Sequence, residues 1–162
     1  MWMLSLQVCI FEFQIFSKNL MISCRPSMPS DVNKIVIQND PSDDASWSFV
    51  GNQRTGIQKL EISDWGFDNR TLPHELLHAT GIYHEQSRPD RDKFVEIHEN
   101  CISNGEEHNF YKHSTSHTYG LEYNPKSIMH YRKTAFSRKS GCRTITSKAR
   151  TVEYENSNIS CD

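Results

Sequence analysis

Residues His74–Asp92 read HELLHATGIYHEQSRPDRD and begin with two histidines four positions apart. On an α-helix, residues i and i+4 lie on one face, so His74 and His78 can direct their imidazole rings at one point. Glu75 then lies beside that point. This spacing is the H-E-x-x-H zinc-protease pattern. By itself it would occur in roughly a few per cent of shuffled sequences of this composition, so it remains a hypothesis.

The same stretch supplies a third candidate ligand. Gly81 follows His78 by three residues, and His84 follows Gly81 by three. A glycine readily adopts the left-handed conformation in which helices end, so the chain can turn and bring His84 to the same point. Three histidines and a water make a four-coordinate catalytic zinc site with an open position. The extended motif, followed by Glu85, would occur in roughly a few shuffled sequences per million, which makes it strong where the short one was not.

The alternative interpretation is that His74 and His78 are surface residues of an amphipathic helix. For a random pair of histidines that interpretation would be preferred, but Gly81 and His84 in register argue against it. The other five histidines have no ligand spacing and are predicted to be surface or packing residues: His98, His108, His113, His117 and His130.

A second motif, SIMHY, occupies residues Ser127–Tyr131. A methionine such as Met129 is usually a core residue, because its flexible thioether fills gaps between other side chains. Downstream of a three-histidine zinc motif, however, SIMHY has the form of the Met-turn that lies beneath the zinc in metzincins.

HELLHATGIYHEQSRPDRD together with SIMHY resembles the astacin family of zinc endopeptidases, in the metzincin clan. Glu85 after the third histidine, the RPDRD continuation and Tyr131 at the end of SIMHY are more particular to this family than the histidines are. The resemblance covers roughly residues 24–160. It implies an α+β, zincin-like fold with a small mixed sheet, an active-site helix above a zinc cleft and an irregular lower subdomain.

The resemblance also implies a role for each matched residue. It makes His74, His78 and His84 the ligands of one Zn²⁺ per chain. It makes Glu75 the general acid and base, and Tyr131 the tyrosine that binds zinc in the resting site and stabilises the tetrahedral intermediate.

Glu85 matches the glutamate that, in activated family members, meets the new amino terminus after propeptide removal. We recognise no propeptide in the sequence, and the family's opening strand and most of its first helix are also missing. Glu85 is therefore expected to lack that partner.

The cysteines depart from the family pattern. Astacins normally carry two disulfides, and Ser46 and Gly66 occupy the positions of one of them. This indicates that both cysteines of one bridge are missing together. The second bridge would join Cys24, or alternatively Cys9, to a cysteine near the end of the domain; Cys161 is the candidate, and the alternative is that the usual terminal cysteine is absent. Cys101 and Cys142 have no family counterpart and are predicted to be buried or surface thiols, and the odd total of five leaves at least one thiol unpaired or bonded to another chain.

The 162 residues fit one domain, which we place at 24–162, after a poorly matched segment at 1–23. That segment is interpreted as a strand, as disorder or as a degenerate secretory segment, since Phe11, Phe13 and Ile15 alternate with polar residues. Strands are also predicted at 32–38 and 57–62. A helix is predicted at 71–81 with Thr71 as its N-cap, and a weaker one at 99–112.

Composition excludes some classes of function. The 18 basic and 20 acidic residues give a net charge of −2, so nothing at whole-chain level favours nucleic acid. No run of about 18 apolar residues exists, so stable membrane insertion is not expected. The expected partner is a peptide or protein substrate, the oligomeric state is unknown, and an extracellular location follows from the resemblance alone, since the signal peptide is not convincing.

Two functional hypotheses follow. The first is a secreted zinc metalloendopeptidase of astacin type, favoured by an intact set of catalytic positions. The alternative is a catalytically inactive zinc-binding remnant of such a domain, favoured by the incomplete ends and the lost disulfide. A purely structural zinc module fits poorly, because such sites are closed and typically have cysteine ligands.

Overall fold

Two compact units make up the part of the chain that the structure describes. The computed structural model describes residues 7–16, 19–39, 44–66 and 68–149. The first unit ends at Ile82 and the second begins at Tyr83. Within the described ranges, no helix combines the length and the apolar character needed to cross a bilayer.

The first unit contains a five-stranded mixed sheet. Its strands are β1 (Gln7–Phe16), β2 (Asn19–Pro26), β3 (Lys34–Gln38), β4 (Trp47–Ser48) and β5 (Ile57–Glu61), in the order β2-β1-β3-β5-β4. β3 and β5 are parallel, with Val36 opposite Lys59, and the other neighbours are antiparallel. The strands predicted at 32–38 and 57–62 are confirmed as β3 and β5, and so is the small mixed sheet.

Helix α1 (Thr71–Ala79) packs one face against this sheet. Leu72, Leu76 and Ala79 recur at the i, i+4 and i+7 spacing of an apolar helical stripe. They contact the β-branched and leucine side chains of β3, β5 and the residue after β5: Ile35, Ile37, Leu60 and Ile62. Since full burial of such a side chain contributes about 1.5–3 kcal/mol, this cluster fixes α1 on the sheet.

The start of α1 differs from the prediction. Thr71 is the first helical residue and not the N-cap, which is Arg70. The Asp68 carboxylate instead accepts hydrogen bonds from the backbone N–H groups of Arg70 and Thr71. An acidic side chain outside the helix therefore satisfies the backbone N–H of the first helical residue, which has no partner within the helix.

The second unit has little regular structure, as expected for the irregular lower subdomain. Its two short strands, β6 (Val95–Ile97) and β7 (Ile145–Ser147), pair antiparallel. The rest of its described chain consists of loops and single turns of 3₁₀-helix. A separate core holds it together, formed by buried aliphatic and aromatic side chains: Val95, Ile102, Phe110, Tyr123, Tyr131 and Ile145.

The helix predicted at 99–112 is wrong. Two 3₁₀ turns, Glu99–Cys101 and Glu107–Phe110, occupy this stretch. Between them Gly105 adopts φ = +91°, which interrupts a right-handed helix. The backbone hydrogen bonds also lead elsewhere, because Ser103 N–H donates to the Phe136 carbonyl and Cys101 C=O accepts from Arg138. Tertiary pairing therefore overrides the local helical pattern.

The thiol prediction for Cys101 and Cys142 is also wrong, because the two form a disulfide. Their Cα atoms are 5.5 Å apart and 41 residues separate them in sequence. The pairing predicted for Cys24 or Cys9 with Cys161 lies outside the described side chains.

Ser46 and Gly66 lie side by side, as expected if the two cysteines of one disulfide are both missing. A Cβ atom built on Gly66 would lie 2.5 Å from Ser46 Oγ. Ser46 Oγ accepts a hydrogen bond from Ser63 N–H and is 3.0 Å from Ser63 Oγ. A small buried hydroxyl cluster now occupies this point, so the Ser46 hydroxyl, and not a sulfur, fills the space beside Gly66.

The first prediction concerns the Cys101–Cys142 bridge. A cross-link over 41 residues stabilises by about 4 kcal/mol in the chain-entropy model, so Cys101→Ser/Cys142→Ser should lower the free energy of unfolding by about that amount. Urea unfolding measures it. As a check on connectivity, Cys101 and Cys142 should resist alkylation until the native protein is reduced; ready alkylation beforehand would contradict the pairing.

The second prediction concerns the Ser46–Gly66 contact. Ser46→Cys/Gly66→Cys should oxidise spontaneously, because a Cβ atom at position 66 lies against Ser46 Oγ, the place that the sulfur of Ser46→Cys would take, and should stabilise the protein by about 3 kcal/mol. Peptide mapping without reductant and urea unfolding measure both effects. The single variant Gly66→Ala is the control and should destabilise by about 1–3 kcal/mol through overpacking against Ser46. Failure of the cysteines to pair would show that these positions are not in bridging geometry.

Candidate active site

The C-terminal end of α1 forms the first part of the candidate site. Gly81 adopts φ = +100°, a conformation that disfavours any side chain. Gly81 N–H donates to the His78 carbonyl and Ile82 N–H donates to the Leu77 carbonyl. These two bonds form a Schellman motif, which terminates the helix and reverses the chain. Gly51 N–H donates to the same His78 carbonyl at 2.8 Å, so the end of α1 is also attached to the loop after β4.

His74 and His78 lie one turn apart on α1 with their rings edge to face, 4.7 Å between centroids. Both are nearly buried, at 2% and 6% exposed. His78 Nδ1 is 2.7 Å from the Ile82 carbonyl, which can only accept, so Nδ1 carries the proton. The unprotonated Nε2 is then the atom that could bind a metal, in the tautomer that metal-bound histidines adopt.

The three predicted ligands come together. One ring nitrogen from each of His74, His78 and His84 lies within 4.8 Å of the other two. Among the described residues, none of the other five histidines joins this group. Three imidazoles with no thiolate suit zinc and leave a position for water, as in catalytic zinc sites.

Burial sets the ionisation of the groups on α1. It raises the pKa of Glu75, which is 5% exposed, to about 8. Burial, and then the charge of His74, lower the pKa of His78 to about 4. His78 is therefore neutral at pH 7 with a lone pair available to a metal. A divalent cation at the triad would stabilise the Glu75 carboxylate and lower its pKa again.

His84 leads directly into a 3₁₀ turn at Glu85–Ser87 that pairs with the SIMHY segment. Glu85 N–H donates to the Met129 carbonyl at 2.8 Å. The Met129 side chain is 3% exposed, and Ser127 Oγ accepts from Met129 N–H in a tight turn. The rings of His84 and Tyr131 lie 4.4 Å apart.

Both peptide groups of Tyr131 are held by buried side chains. Tyr131 N–H donates to Gln86 Oε1 at 3.0 Å, and its carbonyl lies 2.7 Å from His130 Nδ1. The carbonyl can only accept, so His130 Nδ1 carries a proton. Burial lowers the pKa of His130 to about 4, so its ring is neutral and its Nε2 accepts from the Tyr123 hydroxyl at 2.6 Å.

Glu85 and Arg88 connect the same turn to the loop before SIMHY. Glu85 Oε1 accepts from Arg88 Nη1 at 3.0 Å and from Asn124 N–H at 2.7 Å. Arg88 also forms a bidentate ion pair with Asp90 and donates to the Leu121 carbonyl. Glu85 therefore has partners within its own unit, whereas the expectation that it lacks an amino-terminal partner remains a prediction.

Sequence reasoning did not identify Gln86, and it assigned His130 only a surface or packing role. Gln86 and Tyr131 are 45 residues apart, so no local spacing could reveal their contact. The adjacency of His130 to Tyr131 was visible, but a ring that bonds its neighbour's carbonyl has no sequence signature. Both roles depend on the tertiary pairing of the two motifs.

The comparisons with known proteins agree with this geometry. The family model described as Astacin, a family of peptidases, matches residues 7–158. Meprin A subunit beta of Homo sapiens is 48% identical over 92 residues, which is 56% of this chain and 13% of that protein. Zinc metalloproteinase nas-13 of Caenorhabditis elegans is 36% identical over 140 residues, covering 85% of this chain and 30% of that protein.

A solved structure extends the similarity to the fold. High choriolytic enzyme 1, a hatching enzyme zinc-protease from Oryzias latipes, superposes with a TM-score of 0.65 at 35% identity. The match covers 70% of this chain and 55% of that one. The chain matches between 13% and 15% of the length of the meprin beta subunits from three mammals.

The family match is continuous through both motifs and extends from β1 to beyond β7. The fold similarity and the convergence of three histidines, two on α1 and one after the glycine that ends it, are what that match requires. The chain belongs to the astacin family of peptidases.

Proposed function

We propose that this chain is a zinc-dependent metalloendopeptidase that hydrolyses peptide bonds in peptides or proteins. The observation that carries the proposal is the group of three imidazole nitrogens within 4.8 Å of one another, next in sequence to a buried glutamate. Family membership supports the same reaction class.

The residues present fit zinc. His74, His78 and His84 would hold it, and the donor set contains no thiolate, which distinguishes a catalytic from a structural zinc site. His78 is neutral and fixed in the appropriate tautomer by the Ile82 carbonyl. Zinc bound there would lower the pKa of a water from 15.7 toward about 7, which makes hydroxide available at neutral pH.

Glu75 is the proposed general base and acid. Its carboxylate accepts the proton of the attacking water and later returns it to the leaving amine, a role worth roughly 10²–10⁴ in rate. Because Glu75 is 5% exposed, bulk water does not compete strongly for its proton. Burial raises the pKa of Glu75, and a cation bound at the triad would lower it again and favour the carboxylate that accepts a proton.

Tyr131 is the proposed electrophilic partner. Its hydroxyl donates a hydrogen bond to the oxyanion that forms when the scissile carbonyl is attacked. The ring packs against Phe110 and Phe136, with centroids 5.9 and 5.4 Å away. These contacts limit the reorganisation of Tyr131 as charge develops, which favours electrostatic stabilisation.

An extracellular location is part of the proposal. The Cys101–Cys142 disulfide supports it, since such bonds form and persist in oxidising compartments. The expected partner is a protein or peptide, without nucleic acid. Medaka high choriolytic enzyme 1 carries the name of a hatching enzyme, but the cleavage preference of this chain is a separate property.

The second candidate is a zinc-binding remnant without activity. The observation that favours it is the Ser46–Gly66 contact, which replaces a family disulfide with hydroxyl hydrogen bonds. The intact set of His74, Glu75, His78, His84 and Tyr131 argues against it.

The third prediction separates these candidates. Purified protein should contain one zinc per chain and cleave casein, and a chelator should abolish cleavage until zinc is restored. Elemental analysis and a casein assay on the same sample measure both quantities. Zinc without cleavage would support the remnant, whereas absence of zinc would refute both candidates.

The fourth prediction concerns the general base. Glu75→Gln should retain zinc and lose roughly 10²–10⁴ in kcat, because the amide cannot accept the proton of the water. Glu61→Gln is the matched control: Glu61 is also buried in the first unit, at 2% exposed, and bonds Gln38. That variant should keep its turnover, and normal turnover in Glu75→Gln would overturn the mechanism.

A further inference from the structure

We infer that Gln86 and the Tyr123–His130 pair are positioning residues for Tyr131, which fix its main chain and thereby aim its hydroxyl. The inference rests on the proposed function, because it concerns the residue assigned to the oxyanion. It adds three side chains to that function, none of which touches the substrate in the proposed mechanism.

The first part of the argument is the register between His84 and Tyr131. The turn that follows His84 makes two successive bonds to SIMHY, from Glu85 N–H to the Met129 carbonyl and from Tyr131 N–H to Gln86 Oε1. The second of these depends on a side chain and can be removed by substitution. Gln86 thus connects the backbone of Tyr131 to the turn that follows His84.

The chemistry of Gln86 indicates a role beyond stability. The residue is 0% exposed, and its Nε2 has no hydrogen-bond partner among the described residues. A buried donor without a partner destabilises the folded state, and an apolar side chain of similar volume would avoid that penalty. What the amide supplies instead is one acceptor at Tyr131 N–H. Arg91 further fixes the turn by donating to the Gln86 carbonyl at 3.0 Å.

The second part of the argument is the bond at the other peptide group of Tyr131. His130 Nδ1 donates to the Tyr131 carbonyl only while that nitrogen carries the proton. The Tyr123 hydroxyl selects this tautomer, because it donates to Nε2. Tyr123 itself packs against a stacked Phe94 ring at 4.7 Å and the Arg88 guanidinium at 5.4 Å.

Together these bonds fix the peptide groups on both sides of the Tyr131 Cα atom. Their removal would let the Tyr131 backbone shift, and a displacement of about 1 Å in a catalytic group can cost on the order of 10²-fold in rate. The loss should fall on kcat and not on KM, since the proposed contact of Tyr131 is made in the transition state.

The test is a double-mutant cycle on the zinc-loaded protein. Gln86→Met keeps the volume but removes the acceptor, and Tyr123→Phe removes only the hydroxyl. Each should lower kcat by roughly 10-fold to 100-fold with KM nearly unchanged. In a Tyr131→Phe background the same changes should lower kcat by less than about 2-fold, because the hydroxyl that they position is gone. Equal losses in both backgrounds would overturn the inference.

Two further variants separate positioning from folding. Gln86→Glu retains an acceptor at the same place and should recover most of the kcat that Gln86→Met loses. Thr144→Val removes another buried hydrogen bond of the same unit, from Thr144 Oγ1 to the Ala135 carbonyl, and should lower stability without lowering kcat. A loss of kcat in Thr144→Val equal to that in Gln86→Met would refute a specific role.

A readout independent of activity completes the test. Nitrogen-15 NMR of labelled histidine should show His130 as the neutral Nδ1–H tautomer, and Tyr123→Phe should shift its Nε2 resonance. An Nε2–H tautomer in the wild type would overturn the inference. If the zinc-loaded wild type cleaves nothing, the proposed function fails and the positioning role with it; if it cleaves but the cycle is additive, the positioning role fails alone.

Discussion

The histidine triad depends on a single backbone event, the left-handed turn at Gly81 that ends helix α1. One carbonyl, that of His78, accepts from both Gly81 and Gly51, and the next residue in the turn, Ile82, accepts from the ring of His78. The bonds that stop the helix therefore also orient a ligand. Any side chain at position 81 would oppose φ = +100°, and a helix continuing past this point would carry His84 to another face.

Packing and chemistry are not separable in the second unit. Tyr131, which is assigned to the oxyanion, is also a member of that unit's core, with Phe110, Tyr123 and Ile145. A core of this kind tolerates little movement, because its interior is close-packed. The rigidity that the proposed reaction requires of Tyr131 thus comes from the same contacts that hold the unit together. The need to position Tyr131 also explains why a buried polar side chain, that of Gln86, lies next to this residue.

Sequence reasoning succeeded where the determinants are local. The spacing of His74 and His78 follows from helical geometry, and Gly81 indicates the turn that brings His84 to the same point. The triad could therefore be predicted from local patterns, and so could strands β3 and β5. It failed where partners are distant. The disulfide of Cys101, the contact of Gln86 with Tyr131 and the missing helix at 99–112 all depend on pairings across 33 to 45 residues. No pattern within a helical turn or a strand encodes such pairings.

The two units differ in how much they depend on a disulfide. In the first unit the sheet and α1 bury an apolar cluster, and a hydroxyl cluster lies at Ser46, where the family resemblance predicts a lost cross-link. The second unit has only two three-residue strands among its described residues, so few ladder hydrogen bonds restrain its loops. The Cys101–Cys142 bridge closes a loop that contains Tyr123 and the whole SIMHY segment. That segment includes Tyr131, the hydrogen-bond partner of Gln86. Since a cross-link lowers the entropy of the unfolded chain, and more so for longer loops, it stabilises most where regular structure contributes least.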